Sequence, residues 1–335
     1  MTQERNQMNA NSQITIDANR LSLDQALQIR APEVSQEEVL DLIKHFNEGV
    51  ADLLLTDYDQ RELRVTKDKI RRVLRCERNL VESQASKDKP TPAMVAGTLL
   101  DACFTLHASG GVLEDPTKDA LLFLSTLGDG LDIDPDVEDL VRPKVEEGYA
   151  KLVAFWDADT IRDKFSLRLQ DRIALSFCNT RLQLIGRPDV VLSGLDPNHE
   201  DVVIIDVKSG TPKIFDVEDA RLYALMETLR SHRPPSLIGN YYLAIDRLEL
   251  IVPSLQLLGD ETSRTLGAIA KMVEIANTKS ATTTRSVELC QYCPINLTCA
   301  EVTEDDRLGW ASTVVSVGFE DPIESVIGMQ VGLDD

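Results

Sequence analysis

Apolar residues recur at helical spacing at Val39, Leu42, Ile43, Phe46 and Val50, just behind Ser35 and Glu38, which have the separation of a capping box. The spacing predicts an amphipathic helix. Residues 1–33 before it are polar and weakly patterned, the composition of a segment that can stay disordered. Helical spacing returns over 94–107, after the turn-rich KDKPTP, and again over 137–156. The period then changes. FSLRLQDRIALSF and RLQLIGRPDVVLSG alternate with β-branched residues, and DVVIIDVKSG is a Val and Ile run ending in a glycine turn, so all three predict strands. Residues 216–230 resume helical spacing through Val217, Leu222, Leu225, Met226 and Leu229; LIGNYYLAID and LELIVPS then predict two closing strands, with a helix near 260–277 after them. Helix, strands, helix, strands is the order of an α/β domain.

The 335 residues are enough for about two domains of roughly 150 each and for a sizeable core. Charge is the outlier: a net −21 argues against coating nucleic acid or an anionic membrane through the whole surface. It leaves room for a local basic site. Arg61, Arg64, Lys67, Lys69, Arg71, Arg72, Arg75 and Arg78 face only Glu62, Asp68 and Glu77, a local balance of +5. That segment reads either as a solvated helix face or as a phosphate-contacting surface with Arg71, Arg72 and Arg75. The start, MTQERNQMNANSQ, lacks the features of a secretion signal, and no stretch is apolar enough to span a bilayer, so a soluble cytoplasmic protein without membrane contact is expected. From Glu301 onward nine Asp or Glu stand against Arg307 alone, an acidic tail.

The chemistry concentrates at the end of one strand. Asp206 and Lys208 are two apart and share a strand face, while Val207 points the other way into the core. Seventeen residues earlier, GRPDVVLSG places Asp189 where one strand hands over to the next. If the two segments pair, Asp189 and Asp206 can converge on one cation. Hard carboxylate oxygens suit Mg²⁺ or Mn²⁺, which lowers the pKa of a bound water and neutralises charge growing on a phosphate. Lys208 would hold the water or the transition state, and the whole is the logic of phosphodiester hydrolysis.

These motifs resemble those of the PD-(D/E)XK nuclease superfamily. GRPDVVLSG, IIDVKSG and the helix EDARLYALMETL are similar, over 94–253, to the successive motifs of its RecB-like exonuclease branch. The resemblance implies a restriction-endonuclease-like mixed central sheet flanked by helices. It implies metal ligation by Asp189, Asp206 and the backbone carbonyl of Val207, with Lys208 catalytic. Two departures follow. Where RecB-like enzymes carry Gly-x-x-x-His, Gly97 is followed by Asp101, a carboxylate that can still ligate Mg²⁺; His107 lies on another helix face and reads as a surface or capping residue. Where the branch often has Gln-x-x-x-Tyr, Asp219 and Tyr223 stand at i and i+4. Tyr223 keeps the implied DNA-contact role, Asp219 cannot donate as Gln would, and Arg221 is the candidate replacement.

Cys290, Cys293 and Cys299 form Cys-x2-Cys-x5-Cys, three corners of a metal site. Cys76 is the candidate fourth. One upstream Cys, the nuclease core and then this cluster resembles the iron–sulfur nucleases of the RecB-like branch, the CRISPR-associated and AddB-type enzymes among them, and so implies a [4Fe–4S] clasp; structural Zn²⁺ would use the same thiolates. Cys103 and Cys178 read as small buried hydrophobes in helical and strand contexts. Trp156 and Trp310 read as core residues, with base stacking the alternative.

The resulting division is a polar 1–33, a helical 34–93 with the basic segment and Cys76, a nuclease core 94–256, a helix and cysteine cluster 257–300, and an acidic tail 301–335. The expected function is a Mg²⁺- or Mn²⁺-dependent DNA nuclease, an exonuclease or single-strand nuclease, acting on single strands or duplex ends in repair, recombination or defence. No P-loop is present, so a helicase or ATPase would be a separate subunit. The competing readings are a degenerate DNA-binding or scaffold subunit and a zinc-stabilised interaction protein.

Overall fold

The computed structural model describes residues 13–16, 34–55, 62–86, 90–127, 133–157, 161, 163, 165–194 and 201–316. Strand β1 (Gln13–Ile16) lies in the stretch whose pattern predicts no element; the rest of 1–33, and the acidic tail past 316, lie outside the described residues. Helix α1 (Gln36–Leu55) starts as its cap predicts, with the Ser35 hydroxyl donating to Glu38 and accepting the Glu38 N–H at 3.2 Å. Val39, Phe46, Val50 and Leu54 of α1 are buried, the stripe that the spacing marks.

The basic segment does not form one solvated helix. Residues Leu63–Thr66 are strand β2, and Lys67–Arg75 form α2, because the Thr66 side chain accepts the Lys69 N–H and starts the helix there. After α3 (Glu77–Ala85) come α4 (Pro92–Ala108), α5 (Pro116–Thr126) and α6 (Pro135–Phe155), each with an Asp or Thr cap and a proline in the first turn. The strands β3 (Phe165–Leu169), β4 (Ile173–Phe177), β5 (Leu182–Gly186), β6 (Val190–Gly194) and β7 (Val202–Lys208) follow, and then α7 (Ile214–Ser231), β8 (Leu237–Tyr242), β9 (Arg247–Ile251) and α8 (Leu255–Thr278). A four-residue α9 (Val287–Cys290) and α10 (Glu304–Ser316) end the described chain.

The strands make two mixed sheets rather than one. Six run in the order β1-β9-β8-β7-β6-β3, with β7 and β8 parallel and the other neighbours antiparallel. The other three run β2-β5-β4, with β2 parallel to β5. Neither sheet closes into a barrel, and helices flank both. The chain changes sheets between Gly186 and Val190, through Arg187, Pro188 and Asp189.

Both faces of the large sheet are covered. Val203, Ile205, Leu248 and Leu250 pack with Leu99, Phe104, Leu152 and Trp156 of the α4–α6 side. Val191, Ile204 and Ile238 pack instead with α1, α2, α7, α8 and the small sheet. Trp156 is thus a core residue, with its ring 5.1 Å from Phe104. Gly239 is required where β8 meets β9: a Cβ there would stand 2.0 Å from the Glu249 carbonyl oxygen. Cys103 is buried as expected, whereas Cys178 is only half-buried, since Cys178, Asn179 and Thr180 turn β4 into β5 with positive φ. Among the described residues no helix is long and apolar enough to cross a membrane.

Candidate active site

Register builds the site. β6 and β7 pair with Val190 opposite Ile205, so Asp189, one residue before β6, stands beside Asp206. The Val207 N–H donates to Asp189 Oδ2 at 2.7 Å, which ties the two segments together. Along β7, Val207 packs with the α4–α6 layer, while Asp206 and Lys208 share the opposite face with Ile204. Lys208 Nζ lies 2.5 Å from Asp206 Oδ2, 3.4 Å from Asp219 Oδ2 and 3.8 Å from Asp216 Oδ1, the latter two on the first turns of α7. Asp101 comes from α4, which approaches the end of β7 so closely that a Cβ on Gly97 would be 3.6 Å from Ser209.

Two residues that the sequence reading did not single out complete the site. Gln170, just past β3 with φ of 49°, donates its side-chain N–H to Asp189 Oδ1 at 2.8 Å and its backbone N–H to the Asp189 carbonyl at 2.9 Å. Lys67, the first residue of α2, places Nζ 3.5 Å from both Asp206 and Asp219 and above the Tyr223 ring. Arg71, one turn on, lies 3.5 Å from Asp219 and over the Phe215 ring. The left-handed Gln170 and the short strand before Lys67 have no periodic signal to announce them.

The electrostatics separate the carboxyl groups. Burial alone would raise Asp206, but the ammoniums of Lys67 and Lys208 overcome it and hold the group at about 2. Burial, then the Asp206 and Asp101 charges, push Asp189 well above the carboxylate range. Asp101 remains open to solvent on one side, yet the dense protein around it and the Asp206 charge push it up to about 7. Lys208 and Lys67 resist the downward pull of burial because the site carboxylates hold them charged.

These residues fit a divalent cation by donor chemistry. Burial first, and then the neighbouring carboxylate charge, push Asp189 and Asp101 upward, and a dication bound to these hard oxygens would favour their ionised forms. Among the described residues, no group of three or more His, Cys, Asp or Glu stands in metal-holding geometry, the Asp206 and Asp219 oxygens being turned toward ammonium groups.

The remaining expected contacts separate. Arg72 bonds Asp68, Asn79 and Ser83, and Arg75 forms a two-pronged pair with Glu218, so both are engaged within the fold. Arg221 is exposed on α7. Tyr223 is buried and donates to the Arg187 carbonyl at 3.0 Å, which braces the turn leading to Asp189. His107 sits at the C-terminus of α4 with Nε2 3.1 Å from the Trp156 carbonyl, away from the carboxylates.

Cys76, Cys290, Cys293 and Cys299 line one small cavity with Asn79, Leu289 and Val302. Cys76 ends α2, and its sulfur accepts the Thr284 N–H; Cys290 accepts the Ser286 N–H at 3.2 Å. Burial and the other three sulfurs raise the Cys290 thiol. Four soft donors, two of them accepting amide hydrogen bonds, fit a thiolate-bound metal by chemistry.

No curated protein matches the chain. Its residues 67–300 match the model of the PD-(D/E)XK nuclease superfamily, a span that runs from Lys67 through all the strands after β2 to just past Cys299. Members of that superfamily are typically nucleases that use divalent metals such as Mg²⁺ and act on nucleic acid, and with more than half its length matched, this chain belongs to the PD-(D/E)XK nuclease superfamily.

Proposed function

We propose that the protein is a divalent-metal-dependent deoxyribonuclease of RecB-like type, an exonuclease or single-strand nuclease of DNA repair, recombination or defence. The observation that carries the reading is Asp189 and Asp206 side by side across β6 and β7, with Lys208 on the Asp206 oxygen, inside a matched superfamily domain. Asp101, Asp189, Asp206 and the Val207 carbonyl would hold Mg²⁺ or Mn²⁺. The bound cation supplies a water of lowered pKa and neutralises phosphate charge. Lys208 holds the attacking water or the developing charge on the phosphoryl oxygens. Asp216 and Asp219 keep its ammonium in place. Gln170 and the Val207 N–H fix the Asp189 carboxyl from two sides.

The four thiols would hold a [4Fe–4S] cluster joining the end of α2 to the C-terminal segment, with Zn²⁺ the alternative occupant. Protein purified without oxygen should be brown and carry iron; a colourless, zinc-loaded preparation would exclude the cluster.

Lys208→Ala should lower cleavage of single- and double-stranded DNA in Mg²⁺ or Mn²⁺ by about 10³-fold, measured on protein whose circular dichroism spectrum shows the fold retained. Cleavage at the parent rate would sink the nuclease assignment. A second reading, a DNA-binding or scaffold subunit, rests on the carboxylates being paired with lysines rather than arranged as a ligand shell. Tight DNA binding with no cleavage in either metal would establish it.

A further inference from the structure

Lys208 does not stand alone on its carboxylates. Its Nζ is 2.5 Å from Asp206 Oδ2 and 3.4 Å from Asp219 Oδ2; Lys67 Nζ is 3.5 Å from each of the same two atoms. Two ammoniums sharing two oxygens lie only a few ångströms apart, so an oxyanion that reaches one reaches the other. Arg71 adds a third cation 3.5 Å from Asp219, so three positive side chains converge on that one carboxylate. Exposure points the same way. The side chains of Lys67, Lys208 and Arg71 are 32%, 19% and 17% open, against 3% for Asp206 and 4% for Asp219, so the cations lie on the solvent side of the carboxylates they pair with. Lys67 also opens α2, a nine-residue helix whose first-turn N–H groups favour an anion in front of them.

We propose, resting on the nuclease reading above, that Lys67 is a second active-site lysine which grips a substrate phosphate together with Lys208, Arg71 drawing the same strand in and Asp219 acting as the positioning residue for all three. The active site thus includes a helix lying far upstream of the strand that carries Lys208. A purely structural ion pair would make a different prediction, because only a phosphate contact releases a counterion on binding.

The full-length Lys67→Gln and Lys67→Arg variants test this, with cleavage kinetics in Mg²⁺ and with binding of a fluorescein-labelled single-stranded oligodeoxynucleotide in Ca²⁺ over a KCl series. Lys67→Gln should lower kcat/KM by about 10²-fold and the slope of log affinity against log salt by about 0.7, one single-strand phosphate contact, while Lys67→Arg restores most of the slope. If Lys67→Gln does not fold, Lys67→Met, which keeps the apolar stem and removes only the charge, is read in the same way. A parent slope in the variant, with or without loss of cleavage, overturns the proposal. Parent protein that neither binds nor cleaves overturns the nuclease reading itself, and the inference with it.

Discussion

The two faces of β7 differ in almost every physical respect. Val203, Ile205 and Val207 enter an apolar layer with Leu99, Phe104 and Trp156, where each buried methylene contributes about 0.8 kcal/mol. One residue along, Asp206 and Lys208 enter a surround of Asp189, Asp216, Asp219, Lys67 and Arg71, where desolvation consumes much of what ion pairing returns. The backbone is the same for both. The comparison teaches that the α4–α6 layer stabilises the strand firmly enough for its other face to hold charges that contribute little to folding.

Substitutions on each side should separate the two roles. The largest effect is expected from Phe104→Ala, which opens a cavity beside Trp156 and should cost about 3–5 kcal/mol in a urea melt, while kcat measured in the cold stays near the parent value. Comparable losses of kcat and stability would erase the distinction. Next is Glu261, buried on α8 beside Arg264 and Thr265, where burial pushes the carboxyl from 4.5 up to about 7. Its folded pKa is the higher one, so the unfolded chain loses its proton first and stability falls as pH rises from 4.5 through about 7, by up to about 3 kcal/mol. Glu261→Gln should flatten that stretch of the pH–stability curve and raise the melting temperature on its alkaline side. An unchanged curve would show that Arg264 keeps the group ionised. The smallest change is expected for Gln170→Ala: activity should fall about 10- to 100-fold as Asp189 loses a tether, with stability shifted by about 1 kcal/mol. Full activity would place the fixing of Asp189 in the Val207 N–H alone.

The principal helices and strands were legible because each carries a regular period or a β-branched run. β6 opens on a β-branched pair and β7 is a Val and Ile run ended by a glycine turn, so the pairing of Asp189 with Asp206 followed once the two strands were taken as neighbours. Other parts had no comparable signal. β1 and β2 are four residues each and too short for a period, and the second sheet depends on the Arg187–Pro188–Asp189 change of course, which no local pattern encodes. Asp101 is reached only through resemblance, as the residue standing where the RecB-like Gly-x-x-x-His motif has its His, and no periodic signal of its own marks it. Lys67 was one basic residue among eight, and only the Thr66 cap decides that it, rather than Lys69, meets Asp206. Tyr223 shows the opposite limit: its position on α7 was readable, but the direction of its hydroxyl, toward the Arg187 carbonyl, depends on Gly186 leaving room for the ring.

Helix α2 has a geometric consequence. It is a rod about 13 Å long that begins at Lys67, between Asp206 and Asp219, and ends at Cys76, on the wall of the cysteine cavity. One continuous run of helical hydrogen bonds thus sets the separation between an active-site ammonium and a sulfur of the cysteine cavity.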